Sequence, residues 1–309
     1  MTDLGLMQFS AAEIKARLQA VGQANGAEKR MVLQSFFKTA PGQYGQGDLF
    51  LGVSVPQVRA LLKEYRDVLG VQRGGFLCHE AFGRGGIPYR ETLQGLLDEP
   101  YHECRLFALL ALVQWSQQLE KRWNRDKARL QGKEAARPVD VSKDPGEILY
   151  RFYMENAARV NNWDLVDLTA PSVVGAYLLR QGNPADLLSY ARSSHLWTQR
   201  IAMVSTFAFL KAGDAGPTYA VADLLLYHPH DLIQKAVGWM LREAGKRVSE
   251  AGEIAYLSGS APVPAGKGEF CEPFIRKQPA RRYEVMPRAM LRYAVERLPA
   301  GDRSRLLSR

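Results

Sequence analysis

The chain has 309 residues, 46% hydrophobic and 24% charged, enough to bury a large core as one big domain or two ordinary ones. Its 41 Lys and Arg against 32 Asp and Glu give a formal charge of +9, which favours an anionic partner, nucleic acid first and a membrane surface second. No apolar run approaches the roughly 20 residues that cross a bilayer, and Met1 to Gly26 lacks the basic start and apolar centre of a signal peptide, so a soluble, cytoplasmic protein with no membrane partner is expected.

Apolar residues recur at spacings of three and four along most of the chain. In order, AAEIKARLQAV, MVLQSFF, VPQVRALLKEY, RLFALLALVQWSQQL, EILYRFYMENAARV, DLVDLTAPSVVGAYLL, ADLLSYAR, LWTQRIAMVSTFAFL, YAVADLLL, LIQKAVGWMLREAGK and PRAMLRYAVERL read as helices. No stretch alternates as a strand would. Pro56 and Pro287 stand near helix starts, Asn183 with Pro184 and Gly213 with Asp214 lie between helices, and Gly245 lies near a helix end. Paired helices of this length predict an all-α fold, an α–α superhelix of HEAT-like helical repeats. One domain over residues 1–309 is expected.

Two stretches break the rhythm. Glu120 to Glu147 is dense in charges of both signs, and Val248 to Met286 is rich in Gly, Pro, Lys and Arg; both read as surface insertions. Each is either a loop without function or, for Arg276, Lys277, Arg281 and Arg282, a reach toward a phosphate backbone. The three cysteines, Cys78, Cys104 and Cys271, are widely spaced and form no CxxC pair, so neither a disulfide framework nor a thiolate zinc site is suggested.

Residues 161–168 read NNWDLVDL. At about 100° per residue, Asp167 falls about 40° from Trp163 and Asp164 about 100°, while Leu165 and Leu168 lie on the far side. Trp163 thus sits beside Asp167 and away from the apolar stripe, which Val166 does not fit. One account is structural: Asn161 or Asn162 caps the helix, Asp164 favours its positive end, and Trp163 covers a neighbouring helix.

Other residues point elsewhere. In LIQKAVGWMLREAGKR, Trp239 lies within about 60° of Lys235, Arg242 and Lys246, so an indole stands in a basic stripe. Cations answer phosphates and an aromatic plane answers a sugar or base, although a rim tryptophan packing on lysine stems would look the same. Arg200 is the lone charge between His195 and Lys211, in a helix apolar all round. A buried cation needs a partner, and from the residues alone Asp167 and a DNA phosphate are equal candidates.

NNWDLVDLTAPSVVG, SSHLWTQRIAMVSTFAFLKAGD, HDLIQKAVGWMLREAGKR and MPRAMLRYAVERL resemble, in order, the signature segments of the DNA alkylation repair enzymes, HEAT-like-repeat glycosylases that remove alkylated purines. FFKTAPGQYGQGDLFLGVSVPQVRALLKEY is similar to their N-terminal segment, so the likeness spans roughly Phe36 to Leu298. The resemblance implies Asp167 as the catalytic carboxylate, Trp163 and Trp239 against the lesion nucleoside, and Arg200 on the backbone nearby. Lys235, Arg242, Lys246 and, in the last segment, Arg288 would be DNA contacts. It also implies that the lesion is read while largely stacked. At the N-terminal aromatic position, near Phe36 and Phe37, the chain lacks the hydroxyl of a tyrosine, and both insertions exceed the family's usual length.

The chemistry is consistent with these residue types. A purine alkylated at N3 or N7 is already cationic and leaves without a general acid, so the barrier lies in positive charge developing on the sugar. A carboxylate stabilises that charge and orients water, and an indole face attracts the same cation by about 0.5–2 kcal/mol. Gly42 to Gly47 reads as a turn, His228 and His230 lack further spaced ligands and Asp231 is a capping candidate, and Ser205 and Thr206 have no base at predictable distance. The expectation is a monofunctional, metal-independent, cofactor-free glycosylase, monomeric, acting on double-stranded DNA with alkylated purines. A non-catalytic protein binding bent or branched DNA, and a peptide-binding scaffold, are the other readings.

Overall fold

The structure, a computed structural model, describes residues 9–69, 87, 89–130, 144–259 and 281–308. Cys78, Cys271, Arg276 and Lys277 lie outside the described residues. Among the described residues the fold is all-α; the β-type pairing is an isolated bridge between Leu49 and Tyr101. The chain divides into two compact units, Met1–Leu165 and Val166–Arg309.

The first unit contains helices Ala11–Ser35, Val55–Glu64, Arg90–Leu97, His102–Leu130 and Pro145–Glu155. The first of these bends at Gly26, whose φ of 83° is non-helical, so the two apolar segments read from the sequence are separate runs. Ser54 and Gln57 form the cap of the second helix, with Pro56 in its first turn as expected. Ile14, Leu18, Leu62, Leu93, Leu96, Phe107, Trp115, Phe152 and Tyr153 are fully buried and make the core. Between helices, the buried Glu103 carboxylate accepts from the backbone N–H groups of Leu51, Gly52 and Val53 at 2.8–3.1 Å, holding that connection against the His102–Leu130 helix. Cys104 is wholly buried, and burial beside Glu99 and Glu103 pushes its thiol up to about 12, so it behaves as a small apolar side chain.

The second unit runs through Ala176–Gln181, Ala185–Ala191, Leu196–Ser205, Phe207–Lys211, Gly216–Leu224, Asp231–Arg247, Glu250–Ser258, Arg282–Val285, Arg288–Ala294 and Ala300–Leu307. Its longest helix, Asp231–Arg247, buries Ile233, Val237, Met240 and Leu241 and packs on Arg288–Ala294. Gly238 permits that approach: a Cβ there would lie 2.4 Å from the Met290 carbonyl oxygen. Gly245 falls in the last turn of the same helix, as its position predicts.

Four sequence expectations need correction. LWTQRIAMVSTFAFL is two helices, because the chain turns at Thr206, whose hydroxyl donates to the Met203 carbonyl at 2.7 Å. Glu120–Leu130 is not an insertion loop but the end of the His102–Leu130 helix. Within the stretch 248–286, Glu250–Ser258 is a helix that buries Gly252, Ala255, Tyr256 and Leu257, capped by Ser249; its glycines and charges had masked a short apolar face. Arg282 does not reach outward either: it is 3% exposed, bidentate to Asp223 at 2.7 and 3.0 Å, with its guanidinium 4.4 Å from the centre of the Tyr256 ring. Arg281 remains exposed and pairs with Glu284.

Glu253 is a buried acid of the second unit. It is 1% exposed, and its Oε1 has no hydrogen-bond partner among the described residues. Burial, with a smaller push from Glu250, raises its carboxyl to about 9. An unfolded glutamate gives up its proton near 4.5. Between these values the folded state holds the extra proton, so stability falls as pH rises through that window and levels above it. Glu253→Gln is expected to flatten the slope and raise the unfolding free energy at pH 7 by on the order of 3 kcal/mol. Denaturation midpoints across the window check this.

Candidate active site

Trp163 opens the helix Trp163–Ala170, which continues through a wide turn at Pro171–Gly175 into Ala176–Gln181. Proline cannot supply the N–H that a regular α-turn needs, and the i to i+5 pattern there accommodates it. Gly175 closes that turn against the Leu196–Ser205 helix, since a Cβ would meet the Ser205 carbonyl oxygen at 2.3 Å. Ser205 donates to the Ala170 carbonyl, a further backbone tie.

The start of the Trp163 helix is fixed from within the first unit. Asn162 Oδ1 accepts from the Trp163 N–H at 2.9 Å, as one of the two expected caps. The Nδ2 groups of Asn161 and Asn162 both donate to Asp48 at 3.2 Å, and Arg105 donates to the same buried carboxylate at 2.7 Å. Asp164 is buried as well, its Oδ2 lying 2.8 Å from His102 Nε2. Its role is thus a side-chain pair as much as an interaction with the helix end.

Trp163 itself is partly exposed and stacked on Phe37, with ring centres 5.5 Å apart and planes 28° from parallel. Phe37 stacks in turn on Phe50 at 4.9 Å, and Phe50 on His102 at 4.9 Å. Of the two candidate aromatics, Phe37 is the one against Trp163, while Phe36 is 63% exposed. Phe50 and His102 were not singled out from the sequence. They stand about 110 and 60 residues before NNWDLVDL, respectively, and carry no motif.

Asp167 lies one turn beyond Trp163 and is held by Arg200 within the second unit. Arg200 Nε and Nη2 donate to its two oxygens at 3.0 and 2.8 Å, and Arg200 Nη1 donates to the Leu232 carbonyl. The Arg200 side chain is 6% exposed and that of Asp167 17%. Of the two partners open to Arg200, the structure supplies Asp167. A bidentate guanidinium uses one lone-pair site on each carboxylate oxygen, and the Asp167 side chain stays 17% exposed. Within this helix Leu165 and Val166 are fully buried and Leu168 half-buried, so Val166 belongs to the apolar face from which periodicity excluded it.

The basic stripe divides. Trp239 is half-buried, 6.2 Å from Phe207. Lys235 pairs with Asp231 at 3.3 Å, Arg242 with Glu296, and Arg288 donates to the Leu307 carbonyl at 2.7 Å. Lys246 is exposed and forms no ion pair with a described residue. The helix cap at HPHD is His230, which accepts from the Leu232 N–H, with Asp231 one place further in, while His228 bonds Gln199 at 2.9 Å. Among the described residues, no group of three or more His, Cys, Asp or Glu is placed to hold a metal ion, and no helix is long and apolar enough to cross a membrane.

A solved structure described as a predicted DNA alkylation repair enzyme from Enterococcus faecalis is similar to this one with a TM-score of 0.50, at 14% identity, over 89% of this chain and 97% of that one. That likeness is one of fold. No curated protein sequence gives a significant match. The family model for DNA alkylation repair enzymes matches residues 14–298, nearly the whole chain. This protein therefore belongs to the family of DNA alkylation repair enzymes.

Proposed function

We propose that the protein is a monofunctional DNA glycosylase that hydrolyses the N-glycosidic bond of N3- or N7-alkylated purines in duplex DNA, without a metal. The observation that supports this most is Asp167: a partly exposed carboxylate, fixed through both oxygens by Arg200, on the same helix as a partly exposed tryptophan. The leaving base carries its own positive charge, so bond breaking needs no proton donor. What needs stabilising is the cationic sugar, and a carboxylate held rigidly before the reaction does this without reorganising at the moment of bond cleavage. Asp167 in this reading also orients the water that attacks the anomeric carbon. In this reading Trp163 and Trp239 offer indole faces to the deoxyribose. Arg200 positions Asp167, and Lys246, with Lys235, Arg242 and Arg288 once released from their internal partners, contacts phosphates.

A second reading, a non-catalytic protein that binds bent or branched DNA, gains support from the same pair. A bidentate Asp167–Arg200 bridge is a complete structural interaction in its own right. The two readings separate in one experiment. Methylated duplex DNA incubated with the protein should release 7-methylguanine and 3-methyladenine above the spontaneous rate, equally with and without EDTA. Tighter binding of four-way junctions than of alkylated duplex, with no release, would establish the second reading instead.

A further inference from the structure

Phe207 begins a short helix in the second unit, and two cations converge on its ring. Lys211 Nζ lies 4.8 Å from the ring centre and the Arg247 guanidinium 4.7 Å. Both side chains are at the surface, and Trp239 lies against the same phenylalanine at 6.2 Å. Two like charges on one ring repel each other, and the ring's attraction is worth only about 0.5–1 kcal/mol at an exposed site. One carboxylate is near: Glu243 accepts from Arg247 Nε at 2.6 Å. That contact is made through Nε, while the Lys211 ammonium forms no ion pair with a described residue. Neither cation lies in the basic stripe that periodicity marks on the Asp231–Arg247 helix. Arg247 falls on the opposite flank of Trp239 from Lys235 and Arg242, and Lys211 comes from a different helix.

We propose that Lys211 and Arg247, gathered on Phe207 beside Trp239, form a clamp for a phosphodiester of the DNA backbone. An anion received between them removes their mutual repulsion, and Phe207 keeps both side chains extended in advance, lowering the ordering cost of binding. Glu243 opposes an anion, so the clamp depends on both cations acting together. The inference rests on DNA being the partner, as in the function proposed above, but not on base excision.

Counterion release supplies the test. The dependence of binding on salt is measured for undamaged duplex DNA with the full chain, using Lys211→Gln, Arg247→Gln and the double variant. Lys63→Gln, an exposed lysine of the first unit, serves as the control for net charge. Loss of the one clamped phosphate should reduce the slope of log K against log salt by about 0.9 in the double variant, and by nearly as much in each single variant, because the clamp needs both cations. The control and the charge-preserving exchange Lys211→Arg with Arg247→Lys should keep the wild-type slope, and thermal unfolding confirms that each variant folds. A double variant that keeps the wild-type slope overturns the clamp, as does a control that loses as much, or a wild type whose DNA binding ignores salt. Absence of base release alongside the expected loss of slope would refute the glycosylase reading and leave the clamp standing.

Discussion

Asp223→Ala is expected to lower the unfolding free energy by about 3–5 kcal/mol, the cost of leaving a buried guanidinium without its counterion. Arg282 is 3% exposed and Asp223 2%, with two hydrogen bonds between them. The Tyr256 hydroxyl also donates to Asp223 at 2.7 Å, and Arg282 Nη1 donates to the Tyr256 carbonyl at 3.2 Å. Tyr256 stacks on Tyr219 with ring centres 4.5 Å apart. Asp223 is thus the acceptor on which Arg282 and the Tyr256 hydroxyl converge. Burial holds its carboxyl above the usual carboxylate value, against the pull of Arg282 and Tyr256. The pair therefore does not recover its full desolvation cost, and replacing both partners together, as in Asp223→Leu with Arg282→Met, should destabilise far less than either single loss. Denaturant unfolding of the singles and the double measures this. A double variant as unstable as the sum of the singles would contradict it.

Asp167→Asn is expected to reduce single-turnover base release by at least about 100-fold, a transition-state loss near 2.7 kcal/mol. The amide keeps the shape and one acceptor oxygen but removes the negative charge that the proposed mechanism sets against the sugar. It also sets an NH2 group against Arg200, a guanidinium that is 5% exposed overall and keeps, among the described residues, the Leu232 carbonyl and the one amide oxygen as acceptors. Some loss of stability accompanies the change for that reason. Activity is therefore compared at temperatures well below unfolding and at DNA concentrations that saturate both proteins.

Much of this site could be read from residue order, and the rest fails for identifiable reasons. The lone charge of Arg200 in an apolar helix predicts a partner for a buried cation, and the structure supplies one of its two candidates, Asp167. Period alone placed Trp239 in a basic stripe, yet it cannot show that Arg242 meets Glu296, 54 residues on, or that Arg288 meets the Leu307 carbonyl. The stack of Trp163, Phe37, Phe50 and His102 joins side chains from three separated segments, and nothing local to any of them signals it. The helices themselves were legible where apolar spacing ran for ten residues or more. They were missed at Arg90–Leu97 and Ala300–Leu307, which are short, and at Glu250–Ser258, where glycine and charge outweighed a brief apolar face. Arg282 shows the converse error, because a basic run in a Gly- and Pro-rich stretch suggests a solvated loop, while Asp223, 59 residues earlier, draws this one arginine inside.

Single-turnover release of 7-methylguanine and 3-methyladenine from methylated duplex, by wild type and by Asp167→Asn at matched DNA occupancy, tests the central claim most directly. The account predicts release by wild type well above the spontaneous rate and a loss of at least about 100-fold in the variant. Wild-type protein that binds the duplex and frees no base, or a variant that releases base as fast as wild type, would contradict it.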